Sequence, residues 1–255
     1  MRWWWRETAG LVLPLACGGC GRPRTALCGV CERALTGAGG RRVRPVPEPP
    51  GLPVVCAAAP YADAVRAVLL GHKERGALGL ARPLGVALAG AVRASVAASG
   101  GPGAGPLLLV PVPSARRVVR ARGHDAGRRI ALAAAAELRR TGTSARVLPV
   151  LRQRREVADQ SGLGARERLA NLTGALEVVP GAGRLLAVGR PVLVDDLMTT
   201  GASLVEAARA LRAPRAGSGT PFGGLVPDSA AVVAAPPMSF EINPELTGNV
   251  QRCRY

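Results

Sequence analysis

The sequence predicts an α/β protein, a mostly parallel sheet with helices on both faces, preceded by a small four-cysteine module. Three observations predict it. Short apolar runs alternate with Ala-rich amphipathic stretches from Val54 onward, the pattern of repeated strand–helix units. The runs Leu107–Val112 and Pro191–Asp195 are apolar on every residue before the final Asp, as strands buried on both faces require. Four of the six cysteines fall within the first 35 residues, as two Cys-x2-Cys pairs.

The elements follow in order. Residues 1–35 hold the cysteine module, and residues 36–53, rich in Gly, Arg and Pro, read as a linker. Val54–Ala57 reads as a short strand, and Ala62–Leu70 and Leu78–Ala98 as helices. Leu107–Val112 is a buried strand, bounded by Gly and Pro. Ala126–Arg140 is a helix whose apolar face is expected at Ile130, Leu132, Ala134 and Leu138. Arg146–Val150 and Leu176–Val179 are weaker strands. Pro191–Asp195 is a strand, Ser203–Ala213 a helix and Ser229–Ala235 a last strand. The sheet domain thus spans 54–237, with a Gly/Pro-rich insertion at 214–228 and a tail at 238–255 expected to stay unpacked.

Composition narrows the function classes. With 255 residues, 48% hydrophobic and 20% charged, the chain can bury a core and is not a disordered segment. It has only three Trp, two Tyr and two Phe, and Tyr61 is the single aromatic between Arg6 and Pro221. Aromatic platforms that stack single-stranded bases are therefore missing. The formal charge is +17, and Lys73 is the one lysine. Arginine excess reflects either a compositional bias or anion binding, for which its planar fork is suited. The most apolar stretch, Leu84–Ala98, is short and contains Arg93, so no membrane span is expected. The apolar run before Cys17 is too short for an export signal, with Glu7 and Pro14 badly placed, so a cytoplasmic location is expected.

Cys17-x2-Cys20 and Cys28-x2-Cys31 stand seven residues apart. Each pair can present two thiolates from one tight turn, and two such turns complete a tetrahedral site suited to zinc. Disulfides and free thiols are the alternatives. A closed four-cysteine site is structural, and in a module this small the metal supplies folding energy. Cys56 reads as a small core residue, and Cys253 has no assignable role.

The stretch Val192-Leu193-Val194-Asp195-Asp196-Leu197-Met198-Thr199-Thr200-Gly201-Ala202-Ser203 carries the most chemistry. A buried strand ends in two carboxylates, and a loop of small and hydroxylic residues leads into a helix. The carboxyl end of a central strand is where α/β sheets bind ligands. Backbone N–H groups, hydroxyls and a helix N-terminus form an anion cradle there. Adjacent carboxylates suit sugar hydroxyls or Mg²⁺. The plainer reading is a helix capped by Asp196 or Thr199, which does not need two carboxylates and Thr-Thr-Gly together.

This string closely resembles the phosphoribosyl-diphosphate (PRPP) motif of type I phosphoribosyltransferases. Val110-Pro111-Val112-Pro113 with Arg116-Arg117 and Arg122-Gly123 resembles a block of the ComF family of competence proteins. Gln160, Arg168, Asn171 and Gly174 match a second block, and Tyr61, Lys73, Gly76 and the cysteine module also match. The resemblance covers roughly residues 15–237. The sequence departs from it at His124-Asp125-Ala126, at Glu74 and at the 214–228 insertion.

The resemblance implies a Rossmann-like, phosphoribosyltransferase-type sheet behind a zinc ribbon. It implies that Asp195 and Asp196 hold the ribose hydroxyls, directly or through Mg²⁺, as the catalytic pair. Thr199, Thr200, Gly201, Ala202 and Ser203 would hold the 5′-phosphate. Ser114 would lie in the pyrophosphate loop between Pro113 and Ala115, with Arg116 and Arg117 nearby. The stretch 152–168 would be a hood giving arginines to pyrophosphate; residues 111–175 carry 14 Arg against 5 acids, a net +9. Lys73 would face the site, and His124 is expected to be structural or solvated rather than a base. The implied activity is PRPP-dependent transfer to an unknown acceptor. The alternative is a non-enzymatic role in DNA uptake, with single-stranded DNA or uptake proteins as partners.

Overall fold

A computed structural model describes residues 16–101, 103, 105–155, 164–213 and 227–240. In chain order they form α1 (Gly29–Thr36), β1 (Arg41–Arg42), β2 (Val54–Pro60), α2 (Asp63–Glu74) and, after a 3₁₀ turn at Leu78–Leu80, α3 (Ala81–Ala98). Then come β3 (Leu107–Pro111), α4 (Arg116–Arg122), α5 (Ala126–Arg140), β4 (Ala145–Val147) and β5 (Leu151–Gln153). The last are α6 (Ala165–Leu172), β6 (Leu176–Val178), α7 (Ala182–Leu186), β7 (Arg190–Leu197), α8 (Ala202–Arg212) and β8 (Ser229–Ala235).

Six strands make one sheet in the order β1-β2-β8-β7-β3-β4, parallel except for β1. The expected α/β class with a mostly parallel sheet is what the chain adopts. Its central strands β3, β7 and β8 are buried along nearly their whole length, which accounts for their uninterrupted Leu, Val and Ala. One face packs Val192, Val194 and Val233 against Leu84, Leu88 and Val92 of α3 and Ile130 and Leu138 of α5. The other packs Val110, Leu193 and Val232 against Leu204 and Ala207 of α8 and Val150, Leu151 and Leu176. Because side chains alternate along β7, its two faces feed two separate cores.

Several sequence expectations are corrected. The stretch 36–53 is more than a linker: Arg41–Arg42 pairs with Cys56–Ala57 at the sheet edge, and Val43 is buried. The helix expected at Leu78–Ala98 begins with the 3₁₀ turn. That segment is long and apolar enough to cross a membrane, yet 56% of its most apolar window is buried here. Leu132 is 50% exposed, so the buried stripe of α5 runs through Ile130, Ala131, Ala134, Ala135 and Leu138. Leu176–Val178 stays out of the main sheet and pairs antiparallel with Leu151–Gln153. The chain after Pro237 is not wholly unpacked, since Ser239 is buried and Phe240 bridges to Val43 beneath Arg41. Most of the 214–228 insertion, Gln160, Cys253 and residues 241–255 lie outside the described residues.

Candidate functional site

Parallel register brings two loops to one edge of the sheet. Val110 pairs with Leu193 and Pro111 with Val194, and the Val112 N–H donates to the Val194 carbonyl at 2.9 Å. Residues 112–115 and Asp195–Asp196 therefore leave adjacent strands side by side. The next pairing, Leu197 with Ala234 of β8, completes the carboxyl rim.

The two carboxylates point into different surroundings. Asp196 is buried and meets the Lys73 ammonium of α2, with Nζ 2.7 Å from Oδ2. Burial disfavours the Lys73 charge, but Asp196, and Asp195 behind it, outweigh burial and hold its pKa above the ordinary lysine value. Asp195 has no such partner among the described residues. Loss of solvation and the neighbouring Asp196 push its carboxyl up to about 8, against which Lys73 and the Asp196 N–H work only in part. That N–H donates to Asp195 Oδ1 at 2.8 Å. The site thus holds a carboxyl whose pKa is strongly raised, a feature concentrated at functional sites.

The loop that follows turns sharply. Gly201 has φ +77° and precedes α8, and a Cβ there would lie 2.9 Å from Leu52 Cδ1. The positive φ favours glycine, and a Cβ would also displace the Leu52 side chain. Asp195, Leu197, Met198 and the segment Thr199–Leu204 line one concavity. Thr199 is exposed, Thr200 and Ser203 are half-buried, and Gly201 and Ala202 are buried. Free N–H groups at the first turn of an 11-residue helix therefore face this concavity.

The other expected residues are placed less tightly. Ser114 is half-buried on the loop after β3. Arg116 and Arg117 are exposed at the start of α4, and neither pairs with a carboxylate among the described residues. Arg122 of α4 forms a bidentate pair with Glu74, beside Lys73. His124 is structural: its ring nitrogens lie 3.0 and 3.2 Å from the carbonyls of Arg122 and His72. It pins the turn before α5 onto α2.

Sequence reasoning did not find three contacts. Arg168 of α6 reaches the loop, its Nη1 donating to Thr199 Oγ1 at 3.3 Å. Glu206 of α8 is buried, accepts the Leu176 N–H at 2.9 Å and is gripped by Arg209 at 2.7 and 2.8 Å. Burial raises the Glu206 pKa, but Arg209 and the backbone donors more than reverse this and keep it low. Arg155 caps α6 through the carbonyls of Asn171 and Thr173, at 2.7 and 3.0 Å. The Arg168, Glu206–Leu176 and Arg155 contacts join segments far apart in the chain, which no residue spacing signals, whereas Glu206 and Arg209 stand at helical i,i+3 spacing.

The four cysteines converge at the other functional centre. The Sγ atoms of Cys17, Cys20, Cys28 and Cys31 all lie within 4.8 Å of one another. They can hold a metal ion such as zinc. Cys20 Sγ and Cys28 Sγ are 3.7 Å apart, close to the ~3.8 Å edge of a tetrahedron built on zinc–sulfur bonds of about 2.3 Å. No disulfide joins them. The Cys28 N–H donates to Cys17 Sγ at 3.3 Å. Burial opposes the Cys17 thiolate, but N–H groups of Cys20, Cys28 and Gly19 prevail and bring it to about 6. A Cβ on Gly19 would lie 2.7 Å from Cys31 Sγ, so the first turn leaves this space to the sulfurs. Helix α1, which starts between Cys28 and Cys31, buries Leu35 in the main core. The cysteine module is therefore stitched to the sheet.

No family model matches the chain, and no curated protein matches it.

Proposed function

We propose that this chain is a ComF-like member of the phosphoribosyltransferase class. It binds PRPP with Mg²⁺ at the carboxyl rim of β3 and β7 and transfers the phosphoribosyl group to an unidentified acceptor. The carrying observation is one juxtaposition: the Asp195–Asp196 pair and the Thr199–Ser203 turn into α8 stand beside the 112–115 loop on adjacent parallel strands. The cysteine cluster holds a structural zinc in this reading, and the protein works in the cytoplasm.

The residues suit the ligand. Asp195 and Asp196 bind the ribose diol, and their charge offsets the positive character that develops at C1 as the diphosphate departs. The turn at 199–203 takes the 5′-phosphate with backbone and hydroxyl donors. Ser114, with Arg116 and Arg117, faces the diphosphate, and the free arginines draw anions to the rim. Mg²⁺ would be held at the Asp195 and Asp196 carboxylates and would supply positive charge against the departing diphosphate. Lys73 holds Asp196 in orientation through its 2.7 Å contact.

The test is calorimetric titration of zinc-loaded protein with PRPP and Mg²⁺, alongside the Asp195→Asn/Asp196→Asn double variant. That variant removes the negative charge of the pair, so mere attraction to a basic surface would strengthen in it. Binding to the wild type and its loss in the variant would support a diol-reading site. Stronger binding in the variant would refute it. A second reading, a DNA-uptake factor contacting single-stranded DNA or partner proteins, draws support from α4, which buries no residue and exposes Arg116, Arg117 and Arg120. Steeply salt-dependent DNA binding without any effect of PRPP would favour it.

A further inference from the structure

Arg168 stands at the edge of the Thr199 turn. Its Nη1 donates to Thr199 Oγ1 at 3.3 Å, and among the described residues it pairs with no carboxylate. Its Nε is shielded from solvent and has no acceptor. Shielded guanidinium N–H groups are normally satisfied, so an unmet donor here points to an acceptor that arrives with a ligand.

The helix that carries this side chain is braced from three directions. Leu169 and Leu172 of α6 pack with Ala175 and Ala202, which joins α6 to the first turn of α8. At its start, the Gly164 N–H is held by Glu167 Oε2 at 2.7 Å. At its end, Arg155 grips the carbonyls of Asn171 and Thr173. A fork presented from a braced helix loses little freedom when it binds, and it matches two oxygens of a phosphate.

Resting on the phosphoribosyl reading above, we propose that Arg168 is a ligand of the phosphomonoester held by residues 199–203. Arg168 thereby selects 5′-phosphorylated ribose. This differs from the expectation that arginines of the 152–168 stretch serve pyrophosphate. It also gives phosphate binding a mechanical consequence. The strand before Arg155 is β5 of the two-stranded sheet, so an anion gripped by Arg168 steadies α6 and, through Arg155, that sheet.

The experiment titrates zinc-loaded protein by calorimetry with ribose 5-phosphate and, separately, with pyrophosphate, both with Mg²⁺. The proteins are wild type, Arg168→Gln and Arg168→Lys, each checked by thermal melting. The proposal expects Arg168→Gln to weaken ribose 5-phosphate at least tenfold and pyrophosphate less than twofold. Arg168→Lys, a point charge without a fork, falls between. Loss confined to pyrophosphate would overturn the proposal and return Arg168 to the leaving group. Equal losses or no loss would also overturn it, since a merely structural arginine does not separate the two ligands. A wild type that binds PRPP while failing this split sinks only the proposal. A folded wild type that binds neither PRPP nor ribose 5-phosphate sinks the phosphoribosyl reading with it.

Discussion

The two adjacent aspartates are expected to have opposite effects on stability. Ionising Asp195 in the folded chain carries a cost, because its carboxyl is pushed from 3.8 to about 8. A raised carboxyl binds its proton more tightly in the folded chain, so the penalty is absent below pH 3.8. It grows as pH climbs and is complete above about 8. Each tenfold change in proton affinity is worth about 1.4 kcal/mol, so the full difference would exceed about 4 kcal/mol by pH 7. Asp195 is partly solvated, which reduces the recoverable part to about 1.5 kcal/mol. Asp195→Asn keeps an acceptor for the Asp196 N–H and removes the charge. It should raise the melting temperature by about 3–6 °C at pH 7.5, and by less at pH 5. Asp196→Asn instead strands the Lys73 ammonium, 27% exposed, without its 2.7 Å partner. Even with the relief given to Asp195, it should cost about 1–2 kcal/mol. The assay is thermal melting of zinc-loaded protein without Mg²⁺ or ligand across pH 5–8. An Asp195→Asn variant less stable than wild type at pH 7.5 would refute the reasoning, because the pair would then be a structural feature rather than a strained site.

Three further outcomes are expected. Glu206→Ala removes the acceptor of the Leu176 N–H and the partner of Arg209, and should cost about 2–3 kcal/mol by urea melts at pH 7; a change below about 0.5 kcal/mol would count against this tie between α8 and β6. Because the folded Glu206 pKa is lowered, its contribution is present above the ordinary value of 4.5 and should fade as pH drops below that. Gly201→Ala forces a side chain into φ +77° and against Leu52, costing about 1–2 kcal/mol and weakening PRPP at least tenfold in the same titration. Cys17→Ser should drop zinc from one per chain to near zero by elemental analysis, and should also loosen α1, whose Leu35 sits in the main core; full zinc retention would contradict the four-cysteine site.

Local pattern made the main sheet legible. Ala126–Arg140 and Ser229–Ala235 keep their expected bounds, because helix period and an all-small buried strand are read within one segment. The Cys-x2-Cys pairs and the Asp-Asp to Ser203 string were legible for the same reason, their donors being close in sequence. What escaped was set by distant partners. Arg41–Arg42 is a strand only because β2 offers an open edge. Leu132 fits the apolar period, yet it lies half-exposed on α5, beside a buried stripe of Ala131, Ala134 and Ala135. Arg168 meets Thr199, and Glu206 meets Leu176, across 31 and 30 residues of chain. No spacing rule anticipates such side-chain encounters.

The most direct measurement is a phosphorus NMR titration of PRPP with zinc-loaded protein and Mg²⁺. PRPP carries its 5′-phosphate and its diphosphate as separate signals. The account predicts that both broaden or shift with wild-type protein, saturating at one ligand per chain, and that neither does so with the Asp195→Asn/Asp196→Asn variant. Unperturbed signals with folded protein, or perturbation of the diphosphate alone that persists in the variant, would contradict a phosphoribosyl site and leave only a basic surface.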